Sequence, residues 1–302
     1  MTLSICIPIY NYNATKLITD LSQQALKEKI EHEIILIDDS SDLYEKENAQ
    51  LATLPYTQLT RLPQNIGRSA IRNQLAKNAR FEYILFMDCD AEIVDDLFIK
   101  RYMDAVQSSH ADIIMGGCCY KKEQPASDYY LRWLYGIQRE EKPAVKRNSS
   151  PYRSFSAFNC LIKRNLFNSI QFDETLRKYG HEDTLFGWEL KQQNCKLIHI
   201  DNPAYHLSYD DTNSFIKKTV SSISNLWCIY QKTNHKKEFR KDIKILRYQH
   251  ILKWTLLLRP YIWFFNLQKN RFISNLTSNQ PNLLIFDLYK LGVLCKTSIH
   301  KD

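Results

Sequence analysis

The sequence predicts an α/β protein, a mainly parallel sheet with helices packed on it, followed by a helical C-terminal region. Three observations predict it. Short continuous apolar runs alternate with helical periodicity through the first half of the chain, as in a sheet buried on both faces. Polar residues collect where those runs stop, at the C-terminal ends of strands, where open α/β sheets bind ligands. After His206 the pattern becomes helical throughout. At 302 residues, with 44% hydrophobic and 25% charged content, the chain can bury a sizeable core.

Leu3–Ile9 reads as the first strand, and 14–29 as a helix with Leu17, Ile18, Leu21, Ala25 and Leu26 on one face. Glu33–Ile37 is a strand that runs into Asp38-Asp39-Ser40-Ser41. A short strand follows at Leu59–Leu62, then a helix over Gly67–Ala79 with Ile71 and Leu75 inward. Tyr83–Met87 is a buried strand ending in Asp88-Cys89-Asp90, and a helix near Asp95–Ser108 leads to a strand over Asp112–Tyr120. Residues 121–153 lack apolar periodicity apart from Tyr129–Tyr135 and are expected to form a mobile flap. A helix is expected over Thr184–Gln193, and the boundary with the C-terminal region falls at about 208–212.

The eight cysteines form no C-x-x-C pair and no zinc-finger spacing, so reduced thiols in a cytoplasmic protein are expected. Met1-Thr2-Leu3-Ser4 lacks the basic start of a secretory signal. The most apolar stretch, Ile251–Leu267, is interrupted by Lys253, Arg259 and Pro260, which argues against a spanning helix. Eleven Lys or Arg against only Glu238 and Asp242 give Lys232–Arg271 a charge of +9, so the rest of the chain, whose total is +8, is close to neutral at −1. Charge confined to one segment and interleaved with Trp254, Tyr261, Trp263, Phe264 and Phe265 fits an anionic membrane surface better than nucleic acid.

Four segments carry the chemistry. Asp88 and Asp90, one residue apart at a strand end, suit a hard divalent cation, Mn²⁺ or Mg²⁺, that in turn holds a diphosphate. Ser4–Asn11, with Pro8 and Tyr10, runs a strand into a turn that sets an aromatic ring near a base. Asp38 and Asp39 can accept from a base N–H or a ribose hydroxyl. Asn65–Asn73 opens a helix whose N-terminus attracts anions, with Arg68 and Arg72 on one face. Together they fit transfer of a sugar from a nucleotide diphosphate donor.

Here the sequence resembles glycosyltransferase family 2, an inverting group with the GT-A fold. Ser4–Asn11, Ile35–Ser41, Asn65–Asn73, Tyr83–Asp90 and Phe155–His206 carry the resemblance in family order. It implies that Asp39 reads uracil with Asp38 beside it, and that Asn65, Arg68, Arg72 and Cys89 line the nucleotide. Asp88 then contacts ribose and diphosphate and stands beside Asp90 as a metal ligand, with His206 as a further ligand. Glu182 and Asp183 are locally also an ordinary acidic first turn. In the family the second acid of such a pair is the general base, so the role falls to Asp183. His181, Glu182 and Trp188 are then candidates for the acceptor side. The implied layout is a GT-A catalytic domain over 1–209, with a nucleotide-sugar half 1–120 and an acceptor half 121–209, and a helical region over 210–302.

Cys89 and the Gly-His-Glu-Asp block look most like members that build capsule, lipopolysaccharide or chondroitin-type chains. Asp-Asp-Ser-Ser stands where Asp-Asp-Gly-Ser is commoner, and the Gln-x-x-Arg-Trp block of processive polymerases is missing. The expectation is therefore addition of single sugars from a UDP-sugar to a glycan or polyprenyl-linked acceptor, at the inner face of the plasma membrane. A sugar-phosphate nucleotidyltransferase would need a Gly-rich loop where Tyr10-Asn11-Tyr12-Asn13 stands. A non-catalytic adaptor on the same scaffold would have no need of all four acids Asp39, Asp88, Asp90 and Asp183. For the basic C-terminal segment two readings stand: helices packed on the catalytic domain, or helices lying in a membrane interface.

Overall fold

Strand residues with side chains alternating between two buried faces explain the sheet. The computed structural model describes residues 1–176 and 179–300. The strands are Thr2–Ile9 (β1), Glu31–Asp38 (β2), Thr57–Arg61 (β3), Tyr83–Met87 (β4), Ala91–Ile93 (β5), Ile113–Met115 (β6), Cys118–Cys119 (β7), Asn159–Lys163 (β8), Leu197–His199 (β9) and Ala204–His206 (β10). Leu3, Ile5, Ile7 and Ile9 of β1 join Leu85 and Met87 in one core, while Cys6, Ile35, Ile37, Ile84 and Phe86 join another. The helices Thr15–Lys27 and Phe98–Ser109 cover the first face through Leu17, Ile18, Phe98 and Ile99. Arg68–Asn78 and Glu182–Gln192 cover the second through Ile71, Leu75, Phe186 and Leu190. Each large aliphatic or aromatic side chain removed from water contributes about 1.5–3 kcal/mol, so this double-sided burial anchors the strands.

The main sheet has the order β3-β2-β1-β4-β8-β6-β9. It is parallel except for β8, which runs antiparallel to both β4 and β6. The order reverses between β1 and β4, and there the strand ends open a crevice. A second sheet, β5-β10-β7, is antiparallel between β5 and β10 and parallel between β10 and β7.

Two elements differ from expectation. The strand expected over Asp112–Tyr120 is broken into β6 and β7, which belong to different sheets. Gly116 and Gly117 separate them, and a Cβ on Gly116 would lie 2.4 Å from Asn159 Nδ2 and from the Asn202 carbonyl. The close approach admits no side chain at Gly116, and the chain turns at Gly117, whose φ is 94°. The expected flap over 121–153 is instead built of helical segments, among them Ser127–Tyr135 and Ala144–Asn148, with Leu131, Arg132, Ala144 and Arg147 buried. Arg147 substitutes for apolar periodicity as an anchor: it donates to the carbonyls of Gly116 (3.0 Å), Ile200 (2.8 Å) and Lys142 (2.9 Å).

The chain divides into two units. One comprises 1–121, 140–177 and 182–208, and the other 122–139, 178–181 and 209–302. The second therefore takes in two segments that the sequence reading placed in the acceptor half. Leu131 is the reason for the first of them, since it packs with Phe215, Phe265, Phe286 and Tyr289. In this helical unit Asp211 caps Thr212–Lys232 by accepting from the N–H groups of Asn213 and Ser214, both at 3.0 Å. Leu258–Leu276 and Leu283–His300 cross closely, because Gly292 leaves room for the Phe265 ring. Among the described residues, no helix is long and apolar enough to cross a membrane. None of the eight cysteines is in a disulfide; four of them are buried and four partly buried.

Candidate active site

The site is built in the first unit, where β1, β2 and β4 end side by side. Parallel registry sets Ile9 opposite Asp38, and the Asp39 N–H donates to the Ile9 carbonyl at 2.8 Å. Asn11, with φ 50°, ties this turn to the next: its side-chain oxygen accepts from the N–H of Asp42 (2.8 Å) and Leu43 (3.1 Å). Asp38 is buried and accepts from the Ser41 N–H at 2.7 Å. Ser40 adopts φ 64°, so the residue in place of the commoner glycine still takes the left-handed conformation.

Asp39 is buried, and its carboxylate accepts from the N–H groups of Ile66 (2.7 Å) and Gly67 (3.1 Å). Asn65 adds a side-chain bond to the Asp39 carbonyl at 3.3 Å. Asp39 thus clamps the loop that opens the helix Arg68–Asn78, and Gly67 enters that helix at φ 85°. Pro8 is partly buried and Tyr10 is exposed at the end of β1.

Arg72, one turn into that helix, is the electrostatic centre. Its side chain is only 3% exposed. Nη2 donates to Asp88 Oδ1 at 2.9 Å, and Nη1 lies 3.4 Å from Asp183 Oδ1 and 3.7 Å from Glu182 Oε1. The Arg68 guanidinium reaches the same Glu182 oxygen at 3.9 Å. Helices Arg68–Asn78 and Glu182–Gln192 pack on one face of the sheet, which is why Arg72 meets the acids of the second helix. The ring of Phe172 stacks on Phe186 at 4.3 Å and lies under the Arg72 guanidinium at 5.5 Å. Burial works against the Arg72 charge, but Asp88, Asp183 and Glu182 more than offset it and hold the guanidinium protonated.

Those contacts divide the acids. Burial pushes the Asp88 carboxyl up, yet Arg72 and then Arg68 outweigh it and hold Asp88 below its ordinary value. For Asp183 burial dominates; Arg72 only partly opposes it, and the carboxyl is pushed up to about 6. Asp183 Oδ2 accepts from the Ala157 N–H at 3.2 Å, and the Asp88 N–H donates to the neighbouring Phe158 carbonyl at 3.1 Å. Both acids are therefore positioned by the segment that enters β8. About 25% of the Asp183 side chain remains exposed, so one edge of this carboxyl faces solvent.

Asp90 meets His206 through the small second sheet. β5 starts immediately after Asp90, and its antiparallel ladder with β10 sets His206 opposite Ala91. The Leu207 N–H continues the pairing to the Asp90 carbonyl at 3.0 Å, and His206 Nε2 lies 3.6 Å from Asp90 Oδ2. Tyr120 and Phe158 flank the imidazole, with ring centroids at 5.8 and 5.2 Å, and its Nδ1 is buried without a hydrogen-bond partner. Burial raises the Asp90 carboxyl, opposed by His206 and reinforced by Asp88. An oxygen and a nitrogen donor thus converge, as a divalent cation needs. Among the described residues, no group of three or more His, Cys, Asp or Glu is arranged to hold a metal ion. Asp88 is drawn to Arg72 instead.

Cys89 lies between the two acids with its thiol pushed up, chiefly by burial and then by Asp90. Tyr12 is a neighbour that the sequence reading did not single out: burial, then Asp90, Cys89 and Glu92, push its phenol to about 12. The signal available was its position in Tyr10-Asn11-Tyr12-Asn13, directly after the first strand. Trp188 is buried under the Lys191 ammonium, which sits 5.4 Å from its ring. His181 falls in the other unit, with φ 70° immediately before Glu182.

A sequence model described as "Glycosyl transferase family 2" matches residues 4–170, more than half of the chain. The chain is 24% identical over 324 residues to the chondroitin synthase of Escherichia coli, covering 95% of this chain and 45% of that protein. It is 23% identical over 240 residues to the chondroitin synthase of Pasteurella multocida, covering 68% of this chain and 24% of that protein. The chain thus spans less than half the length of either synthase. Among solved structures, S. aureus TarS 1–349 superposes with a TM-score of 0.56 at 17% identity, over 100% of this chain and 92% of that one. The same TarS fragment in complex with UDP-GlcNAc gives a TM-score of 0.53 at 19% identity, over 80% of this chain and 70% of that one. The likeness to TarS establishes a GT-A-like fold, in agreement with the resemblance noted from the motifs. The matched segment holds the ends of β1, β2 and β4, so that both the fold and the span of the match lead to one conclusion: the chain belongs to glycosyl transferase family 2.

Proposed function

We propose that the protein transfers a single sugar, with inversion, from a UDP-sugar to a hydroxyl of a glycan or lipid-linked acceptor in polysaccharide biosynthesis. The observation that carries this is the division of acids around Arg72: one carboxylate held ionised and one raised toward neutrality, side by side at the switch point of the sheet. UDP and UDP-GlcNAc in the TarS structures support the donor class. The chondroitin synthase relatives support a polysaccharide product.

Asp183 acts as the base. It takes the proton of the acceptor hydroxyl while that oxygen forms a bond to the anomeric carbon and the carbon–oxygen bond to the diphosphate breaks. A carboxyl raised to about 6 is ionised near neutrality and is a stronger proton acceptor than an ordinary aspartate. Arg72 orients Asp183 through Nη1, 3.4 Å from Oδ1. Arg68 and the N-terminal amides of its helix favour negative charge on the departing nucleotide. Asp90 and His206 would hold Mn²⁺ or Mg²⁺, with diphosphate oxygens completing the ligand set. When bound there, such a cation would supply neutralisation of the leaving group's charge.

The test is donor hydrolysis without acceptor: purified protein with UDP-, GDP-, dTDP- and CMP-sugars, in Mn²⁺ and in EDTA. UDP release from one sugar in Mn²⁺ alone is the expected result. Equal release in EDTA overturns the metal assignment, and release from another nucleotide class overturns the UDP assignment. If every donor is inert and UDP fails to raise the melting temperature, the transferase reading falls.

A further inference from the structure

The helical unit exposes what a soluble surface normally hides. In the helix Lys244–Trp254, Leu246 and Gln249 are buried, while Tyr248, Ile251 and Trp254 are exposed at helical spacing. In Leu258–Leu276, Ile262, Phe265, Phe272 and Leu276 point inward, and Trp263, Phe264 and Leu267 are exposed on another stripe. The turn between the helices adds Leu256, at φ 60°, and Leu257. The extremes are Trp254 at 80%, Leu256 at 84% and Trp263 at 67% exposed. Packing within the unit therefore uses one face of each helix and leaves a second apolar face and an apolar tip in water. A helix whose only task is to pack on its own domain carries polar residues there.

The surrounding charge identifies the occupant. Lys241, Lys244, Arg247, Lys253, Arg259, Lys269 and Arg271 are exposed along the same stretch, and no acid lies between Asp242 and Asp287. Exposed tryptophans and leucines rimmed by cations match a bilayer boundary, where rings and aliphatic chains enter the acyl edge and lysines and arginines meet anionic headgroups. We propose that helices Lys244–Trp254 and Leu258–Leu276, joined by the Leu256-Leu257 tip, lie on the surface of an anionic lipid bilayer. The unit docks in the interface plane and does not span; among the described residues no helix is long and apolar enough to cross. The docking is independent of the transfer reading and is tested by binding alone.

The experiment is sedimentation of the full chain with vesicles of equal parts phosphatidylglycerol and phosphatidylcholine, and with phosphatidylcholine alone, followed by tryptophan emission. Trp188 and Trp227 are buried and Trp133 is partly buried, so an emission blue shift on binding reports Trp254 and Trp263 above all. Binding to the anionic vesicles with a blue shift is expected. It should weaken as salt rises from about 0.1 M to about 1 M, which shortens the screening length from about 10 Å to about 3 Å. Trp254→Ala with Trp263→Ala should weaken partitioning on the order of tenfold per tryptophan, with an unchanged melting temperature because both side chains are exposed. Each exposed cation changed to glutamine should weaken it about fivefold. Equal affinity for both vesicle types, or a double tryptophan variant that binds like the parent, overturns the proposal. So does a self-associated parent that ignores vesicles and becomes monomeric in the double variant, because the face would then belong to a second copy of the chain.

Discussion

Replacing Arg72 with methionine removes the one cation that three acids share. In the folded protein Arg72 is 3% exposed and hydrogen-bonded to Asp88 at 2.9 Å, with Asp183 at 3.4 Å and Glu182 at 3.7 Å. At an effective dielectric near 20, one such contact is worth about 4 kcal/mol before the cost of dehydrating the guanidinium. Breaking a buried pair while its partner stays ionised costs about 3–5 kcal/mol. For a domain of this size that lowers the melting temperature by about 6–20 °C. The sign with pH is determined by Asp88, whose carboxyl lies below its ordinary value in the fold. The stability it contributes is present above the unfolded value, about 3.9, and is lost as pH falls through the folded one. Without Arg72 that depression disappears and Asp183 rises above its present value of about 6. The loss should therefore be largest near pH 7 and should shrink on approaching pH 4.5 as the variant takes up protons. Urea unfolding of parent and variant across that range, with Asp183→Asn combined to measure the coupling, is the assay. A loss under about 1 kcal/mol at pH 7, or one that does not change with pH, would refute the account of Arg72 as the shared counter-ion.

Two further outcomes follow from the same electrostatics. Transfer should fall about tenfold per pH unit below about 6, because a proton on Asp183 disables the base. Asp183→Asn should keep UDP affinity while losing at least about a hundredfold in rate, and a variant that retains the parent rate and acid limb in a pH–rate profile removes the base from Asp183. His199 is buried between the Arg147 guanidinium, which donates to Nδ1 at 2.8 Å, and the Pro151 carbonyl at 3.0 Å from Nε2. Burial first, and Arg147 further, lower its value to about 4. The unfolded chain binds the extra proton between about 6.5 and 4, so stability falls by up to about 3 kcal/mol as pH drops through that window. His199→Asn, which keeps an acceptor for Arg147, should flatten that dependence in thermal melts; an unchanged slope would place the effect elsewhere.

Local patterning carried much of the fold. The apolar runs of β1, β2 and β4 and the helical periods between them recur where the sequence predicts them, because strands buried on both faces must be continuous in sequence. The strands β5, β8, β9 and β10 are not expected from the sequence; β5, β9 and β10 have three residues each, too few to make a period. The segment Ala144–Asn148 is expected to be part of a flap because its anchor is the buried Arg147, whose carbonyl partners leave no apolar signature. The exposed apolar faces of the helical unit follow the same rule. The sequence marks them as amphipathic, yet which apolar residues turn inward depends on contacts such as those of Phe265 and Leu276 with the other helices.

For the site, the sequence by itself determined which chemical groups are available and that Asp39, Asp88 and Asp90 stand at strand ends, since that follows from local chain direction. It also marked Arg68 and Arg72 as neighbours, one helical turn apart. Tertiary structure alone decided the partners. It set His206 beside Asp90 through a three-residue antiparallel ladder, although more than a hundred residues separate them in the chain. It turned Asp39 to the amides of Ile66 and Gly67, and it made Arg72 the common counter-ion of Asp88 and Asp183. The physical reason is that ionisation depends on burial and on the nearest charge, and both are properties of packed elements distant in sequence. Asp88 and Asp183 are the same residue type in the sequence; the fold holds one below its ordinary value and raises the other to about 6.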